Sequence, residues 1–319
     1  MTPRERFLAA LDRQPIPGRA PHFELVFFLT MEVFGRVHPS QRAYGQWDQM
    51  EEKERQLHRE DIADLHIQTA ERFEHSAIFL HPNPGSDEEI LRLIDIVRER
   101  VGDRYFVMLH GDATFGIPNG ETMVEFSYRM ADDAEGMKRQ AAGMVDSALA
   151  RGERFAKHGG LDGFALCADY CLNQGPFLSP DQFGEFVTPY LTRLCAGYRD
   201  LGLRTIKHTD GNIMPILDQL VEAGPDALHS LDPQGGVDIA EVKRRVGDRV
   251  CLIGNVSCGA LDTGTDADAV AAAEYCLEHG MPGGGYIFST SNCIYTGMAL
   301  SRYELILDVW RRKGNYPEA

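Results

Sequence analysis

The chain has 319 residues, of which 43% are apolar and 25% charged, and its net charge is −16. That length and apolar content suit one α/β barrel with insertions, with a core large enough to need no disulfide or metal staple. The acidic balance excludes nucleic acid and anionic membrane as default partners, because both require a basic face.

Met1-Thr2-Pro3-Arg4-Glu5-Arg6 is expected to open directly into an amphipathic helix, without a secretory pattern. The seven cysteines are odd in number and scattered. They read as reduced thiols, and the expected compartment is the cytoplasm. No apolar run approaches the roughly 20 residues that span a bilayer.

In chain order, eight short β-rich runs alternate with longer helical patterns. The runs are His22–Phe28, Ser76–His81, Tyr105–His110, Gly163–Ala168, Leu203–His208, Asp226–Ser230, Val250–Asn255 and Gly285–Thr290. Most are continuously apolar, as parallel strands buried on both faces must be. Helices are predicted over Asp48–Glu74, Ala131–Lys157, Ser179–Arg199, Asp238–Val246, Asp266–His279 and Ala299–Arg312. Ser179-Pro180-Asp181 is a good helix start, with a capping serine and proline at the first helical position. Repeated strand-then-helix units imply parallel strands with right-handed crossovers. Eight of them point to a single closed (β/α)8 TIM-type barrel over residues 1–319. The Gly/Pro clusters at residues 81–85 and 280–285 fall between elements, not between domains.

In such a barrel, chemistry sits at the C-terminal ends of the strands. The second run ends in His81 and the third in His110-Gly111-Asp112. The fourth ends in Cys167-Ala168-Asp169-Tyr170-Cys171 and the fifth in His208-Thr209-Asp210. Asp232, Cys258 and Cys293 follow the sixth, seventh and eighth runs. Each of these alone is more often a cap or a packed core group. Their sharing one rim is what points to chemistry. Two thiols and a carboxylate on consecutive strand ends are acceptable zinc ligands, and three protein ligands leave a position open for substrate. The alternative for Cys258 and Cys293 is service as small buried hydrophobes. Cys167, Cys171, Cys195, Cys251 and Cys276 read mainly as packing.

Two stretches carry a family resemblance. One is Ala168–Pro180, with Phe183, Phe186, Pro189 and Tyr190 beyond it. The other is Lys207-His208-Thr209-Asp210-Gly211-Asn212-Ile213, with Leu231-Asp232-Pro233 and Leu252-Ile253-Gly254-Asn255-Val256. They resemble the uroporphyrinogen-decarboxylase-like superfamily, which implies the barrel and leaves the reaction open among several. The decarboxylases bind a polyanionic tetrapyrrole through arginines near the N-terminus. Pro21–Thr30 offers no arginine and one acid, Glu24. The resemblance is therefore closer to the cobalamin-dependent methyltransferases. Members that methylate coenzyme M carry His-x-Cys where this chain has His208-Thr209-Asp210. Vanillate-type O-demethylases use an Asp, Cys, Cys zinc set, which Asp232, Cys258 and Cys293 match in order.

The resemblance implies a zinc-dependent transfer of a methyl group from a small methylated donor, a methoxylated aromatic foremost, to cobalamin on a partner corrinoid protein. Zinc would lie on Asp232, Cys258 and Cys293, with His208 a rival ligand or an outer partner and Asp210 also open as a ligand. His208, Asp210 and His110 would serve as catalytic groups, and Phe23, Glu24, Asp169, Tyr170 and Asn173 would bind substrate. A homodimer is compatible with this reading. Two other classes stay open: a metal-independent decarboxylase or lyase using Asp169, His208 and Asp210, and a non-catalytic binding protein.

Overall fold

The computed structural model describes residues 1–317. Its sheet strands are β1 (Ala77–Phe79), β2 (Phe106–His110), β3 (Gly163–Leu166), β6 (Arg204–Thr209), β7 (Ala227–Ser230), β8 (Cys251–Val256) and β9 (Tyr286–Thr290). All seven pair in parallel, in the order β1-β2-β3-β6-β7-β8-β9. A separate two-stranded hairpin, β4 (Cys171–Leu172) and β5 (Gly175–Pro176), stands above the sheet after β3.

The eighth position of the barrel is filled by residues 21–27 rather than by a regular strand. Phe23 N donates to Phe288 O at 3.1 Å, and Phe288 N to Pro21 O at 2.9 Å. On the other side Ser76 N donates to His22 O at 2.7 Å. The two sheet edges are thereby joined, which removes the free strand edges that would otherwise invite association. The (β/α)8 barrel read from the strand–helix alternation is the fold observed.

Helix boundaries follow local chemistry. Thr2 with Glu5, Ser179 with Gln182 and Thr265 with Asp268 each form reciprocal capping boxes at helix starts. The helix expected over Ser179–Arg199 is two, Pro180–Phe186 and Thr188–Asp200. Pro189 has no N–H to bond Glu185 O and its ring crowds that carbonyl, so the first helix ends before Val187 and Pro189 lies in the opening turn of the second. The pattern that begins at Ala131 is likewise split. Asp133 ends Met123–Asp132 and caps Ala134–His158 by accepting from Gly136 N at 2.9 Å.

The core has two parts. Outward side chains of the strands pack against the helices, and inward ones fill the barrel. The inward set includes Phe79, Phe106, Met108, Ala165, Ile206, Ala227, Cys251, Ile253 and Ile287. The N-terminal helix Pro3–Leu11 closes the floor, with Phe7 packed on Phe106 at 4.8 Å and edge-on to Phe23 at 5.8 Å. Side chains alternate along a strand, so two residues beyond each inward apolar position is another inward one. That step carries β2 to His110, β3 to Cys167, β6 to His208, β7 to His229 and β9 to Ser289. The mouth of the barrel is therefore polar because the inward parity of these strands ends on polar residues. No helix among the described residues is long and apolar enough to cross a membrane.

Candidate functional site at the barrel mouth

Asp169, His208 and Asp210 meet at the mouth because β3 and β6 are neighbours in the sheet. His208 Nε2 lies 3.8 Å from Asp169 Oδ1 and 3.7 Å from Asp210 Oδ1. Both distances are too long for hydrogen bonds. One ligand atom from each residue lies within 4.8 Å of the others. Among the described residues this is the one such grouping of three or more His, Cys, Asp or Glu side chains.

Each member is held from behind. Asp210 Oδ1 accepts from Ser230 Oγ at 2.6 Å, and its other oxygen accepts from the Asn292 amide. Asp169 Oδ1 accepts from Asp210 N at 3.2 Å. His208 Nδ1 shares a hydrogen bond of 2.7 Å with His229 Nδ1. Burial drives His208 well below its ordinary pKa, helped by His229 and Lys207, so its ring is neutral. Burial also raises Asp169, and lifts Asp210 to about 7 against the opposing Ser230 hydrogen bond. A neutral imidazole and two crowded carboxylates are a suitable donor set for a divalent metal. Two zinc bonds of about 2.1 Å at a tetrahedral angle hold their ligand atoms about 3.4 Å apart. The spacings of His208 to the two acids are close to that.

Beneath this group lies a buried ion pair. Lys207, 0% exposed, donates from Nζ to Asp112 Oδ2 at 2.8 Å, to Ala168 O at 2.8 Å and to Leu166 O at 3.1 Å. Asp112 also accepts from Ala168 N at 2.8 Å and from the hydroxyl of Thr114 at 2.7 Å. Burial acts to raise Asp112, but the Lys207 ammonium outweighs it and leaves the carboxyl below its usual range. The pair pins the turn that carries Asp169.

The zinc set expected from the strand ends is placed differently. Ser230 and Leu231 adopt positive φ at 86° and 51°, and this bend turns Asp232 into a cap. Its carboxylate accepts from Gln234 N at 2.9 Å and from Gly211 N at 3.2 Å. Cys258 is buried at the start of the short helix Cys258–Asp262, and its Sγ points to Cys293 O at 3.6 Å. Burial pushes the Cys258 thiol up to about 12 and raises Cys293 as well. The two cysteines are thus neighbours, but Asp232 does not converge with them as Asp169, His208 and Asp210 converge with one another.

The expected substrate-binding residues also separate. Phe23 is fully buried on the barrel floor. Glu24 is 3% exposed and accepts from Thr290 and Ser289. Tyr170 packs away from the mouth, with its hydroxyl 2.6 Å from Thr114 Oγ and its ring 4.0 Å from Lys207 Nζ. Asn173 is exposed in the β4–β5 turn. Asp169 stands at the mouth itself. His110 ends β2, is exposed, and has its pKa lowered by partial burial. His229, Ser230 and Asn292 were not singled out in the sequence. The period-two parity of β7 was the signal for His229.

Gly211, directly after Asp210, has φ +77°. A Cβ there would lie 2.6 Å from Cys171 O and 2.7 Å from Leu172 O. Gly211→Ala is expected to destabilise the fold by roughly 1–3 kcal/mol, through overpacking and a left-handed backbone. Thermal unfolding measures this, and an unchanged midpoint would show that the turn can move away.

Residues 165–312 match the sequence profile of uroporphyrinogen decarboxylase (URO-D). The chain is 31% identical over 150 residues to a uroporphyrinogen decarboxylase of Thioalkalivibrio sulfidiphilus, a stretch of 44% of this chain and 40% of that protein. It is 28% identical over 172 residues to the methylcobamide:CoM methyltransferase MtaA of Methanosarcina barkeri, covering 53% and 48%. The matched segments span less than half the length of these curated relatives. A methyltransferase from Methanosarcina mazei superposes with a TM-score of 0.75 at 19% identity, covering 98% of this chain and 99% of that one. The barrel fold is thus shared along the whole length, and the segment that matches the uroporphyrinogen decarboxylase (URO-D) profile, residues 165–312, carries every member of the Asp169–His208–Asp210 group.

Proposed function

We propose that this protein is a metal-assisted methyltransferase that moves a methyl group from a small methylated donor, such as a methoxylated aromatic, to a corrinoid carried by a partner protein. The observation that carries the reading is the convergence of His208 with Asp169 and Asp210 at the open end of the barrel. The relatives named methyltransferase support it. So does the missing arginine in Pro21–Thr30, since a polyanionic tetrapyrrole needs cationic partners.

Asp169, His208 and Asp210 would hold the metal, zinc being the best match to the mixed nitrogen and oxygen set. When bound, it supplies Lewis-acid polarisation of the donor's heteroatom, which stabilises the leaving group. His208 presents a neutral ring with a fixed orientation. Ser230 and Asn292 keep the Asp210 carboxylate turned toward it. His110, exposed at the end of β2, would hold the donor's heteroatom by a hydrogen bond from its imidazole N–H. The mouth is where a corrinoid partner approaches, so donor and acceptor meet in line above these side chains.

The test is methylation of free cob(I)alamin by the zinc-loaded protein, with methoxyarenes, methylamines and methyl thioethers as donors, followed by absorbance. Formation of methylcobalamin with one donor class, abolished by chelation, is expected. No turnover with any class, in protein that also binds no metal, would overturn the reading.

Metal binding should also depend on pH. Asp210 is raised to about 7, so a bound cation must displace its proton at lower pH. Zinc affinity is expected to strengthen as pH rises toward about 7 and to level off above it. Asp210→Asn removes that titration. Calorimetric titrations at several pH values check the slope, and an affinity independent of pH would contradict it.

A further inference from the structure

A run of hydrogen bonds leads from the mouth into the barrel, and the proposed function makes no use of it. His208 and His229 are register partners on β6 and β7, and their Nδ1 atoms are 2.7 Å apart. His229 Nε2 lies 3.4 Å from Ser289 Oγ on β9. Ser289 Oγ donates to Glu24 Oε2 at 3.3 Å. All four side chains are buried, at 5%, 1%, 0% and 3% exposure. The chain therefore crosses the barrel interior and ends on the segment that closes it.

Its polarity follows from donor counting. Two imidazoles joined Nδ1 to Nδ1 must have one donor and one acceptor. Both rings are buried and no carboxylate lies within hydrogen-bond distance of His208, the nearest being at 3.7 and 3.8 Å, so neither ring is held as an imidazolium. A carboxylate at Glu24 can only accept. Ser289 then gives its one hydroxyl proton to Glu24 and accepts from His229 Nε2–H. His229 Nδ1 is left bare and accepts from His208 Nδ1–H. His208 Nε2 is left bare in turn, facing Asp169 and Asp210. Burial raises Glu24 to about 8, and its protonated form keeps the same order because its proton goes to the nearer Thr290 hydroxyl rather than to Ser289. Thr290 Oγ then donates its own proton to Asn292 O at 2.9 Å, and Glu24 Oε2 still accepts from Ser289.

We propose that His229, Ser289 and Glu24 are positioning residues that lock His208 in the Nδ1–H tautomer, so that its bare Nε2 is aimed between Asp169 and Asp210 before any cation arrives. This rests on the metal-assisted reading of the mouth, and adds to it three residues that touch neither metal nor substrate. A metal-ligating histidine needs its other nitrogen committed to a partner, and loss of such a partner typically weakens metal binding about 10- to 100-fold. Here the partner is a second histidine, whose own tautomer must be set from further back, and Glu24 is the acceptor that ends the sequence.

The test uses 15N-histidine-labelled full chain, first stripped of metal. Long-range proton–nitrogen spectra, assigned with the His229→Asn variant, are expected to show His208 protonated at Nδ1 and His229 at Nε2. The opposite tautomers, or a mixture, would overturn the proposal. Zinc affinity is then read by chelator competition. Ser289→Ala is expected to mix the His208 tautomers and weaken zinc about 10- to 100-fold. Ser289→Thr, which keeps the hydroxyl, is expected to restore both. Unchanged affinity and an unchanged His208 tautomer in Ser289→Ala would overturn the proposal. The expected tautomers in a parent chain that binds no zinc would instead overturn the metal reading of the mouth and leave the chain of hydrogen bonds standing.

Discussion

Asp112→Ala is expected to cost about 3–5 kcal/mol of folding stability, the range for removing one partner of a buried ion pair. Lys207 is 0% exposed, and without Asp112 its ammonium keeps two backbone carbonyls, Leu166 O and Ala168 O, and the face of the Tyr170 ring, but no anion. The same substitution frees Ala168 N and the Thr114 hydroxyl, both of which Asp112 accepts from. The loss is therefore larger than that of one ordinary hydrogen bond, about 1 kcal/mol. Urea denaturation of parent and variant gives the difference. The double change Asp112→Asn with Lys207→Met should recover much of it, because no uncompensated charge is left buried. A single-variant loss below about 1 kcal/mol would mean that water reaches Lys207.

His208→Ala is expected to abolish turnover and to weaken zinc by more than about 100-fold, beyond the usual effect of losing an outer partner. His208 supplies the one nitrogen of the Asp169–His208–Asp210 group. Without it two carboxylates face each other across the mouth, and burial already raises both. A pair of buried acids without a third ligand will take up a proton in preference to a metal. Circular dichroism should show the fold unchanged, since the ring lies at the open end and the strand pairing of β6 is made by the backbone. Retained zinc in a folded His208→Ala variant would remove His208 from the ligand set.

The barrel was legible because strand and helix periods differ and the runs are strongly apolar. Leu252 and Ile253, or Tyr286 and Ile287, can only be strands buried on both faces. The first strand was the partial exception. Residues 21–27 occupy its place but pair through isolated bridges at His22 and Phe27, a distinction that apolar content does not carry. The mouth was legible as a rim but not as a set. Sequence order put Asp232, Cys258 and Cys293 on consecutive strands. Whether side chains meet depends on inward parity and on backbone turns after each strand. The positive φ at Ser230 and Leu231 turned Asp232 into a cap. Lys207, between two inward positions of β6, points outward to Asp112, a pairing 95 residues apart that no local pattern announces. Phe23 and Tyr170 were drawn toward substrate by their aromatic character, yet apolar packing claims both.

Elemental analysis of purified full-length protein is the most direct test of the proposed metal site, made on the parent and on the His208→Ala and Cys258→Ser variants. About one zinc per chain in the parent and in Cys258→Ser, lost in His208→Ala, is the expected result. Stoichiometric zinc that survives His208→Ala but disappears with Cys258→Ser would contradict it and place the metal on the thiols instead.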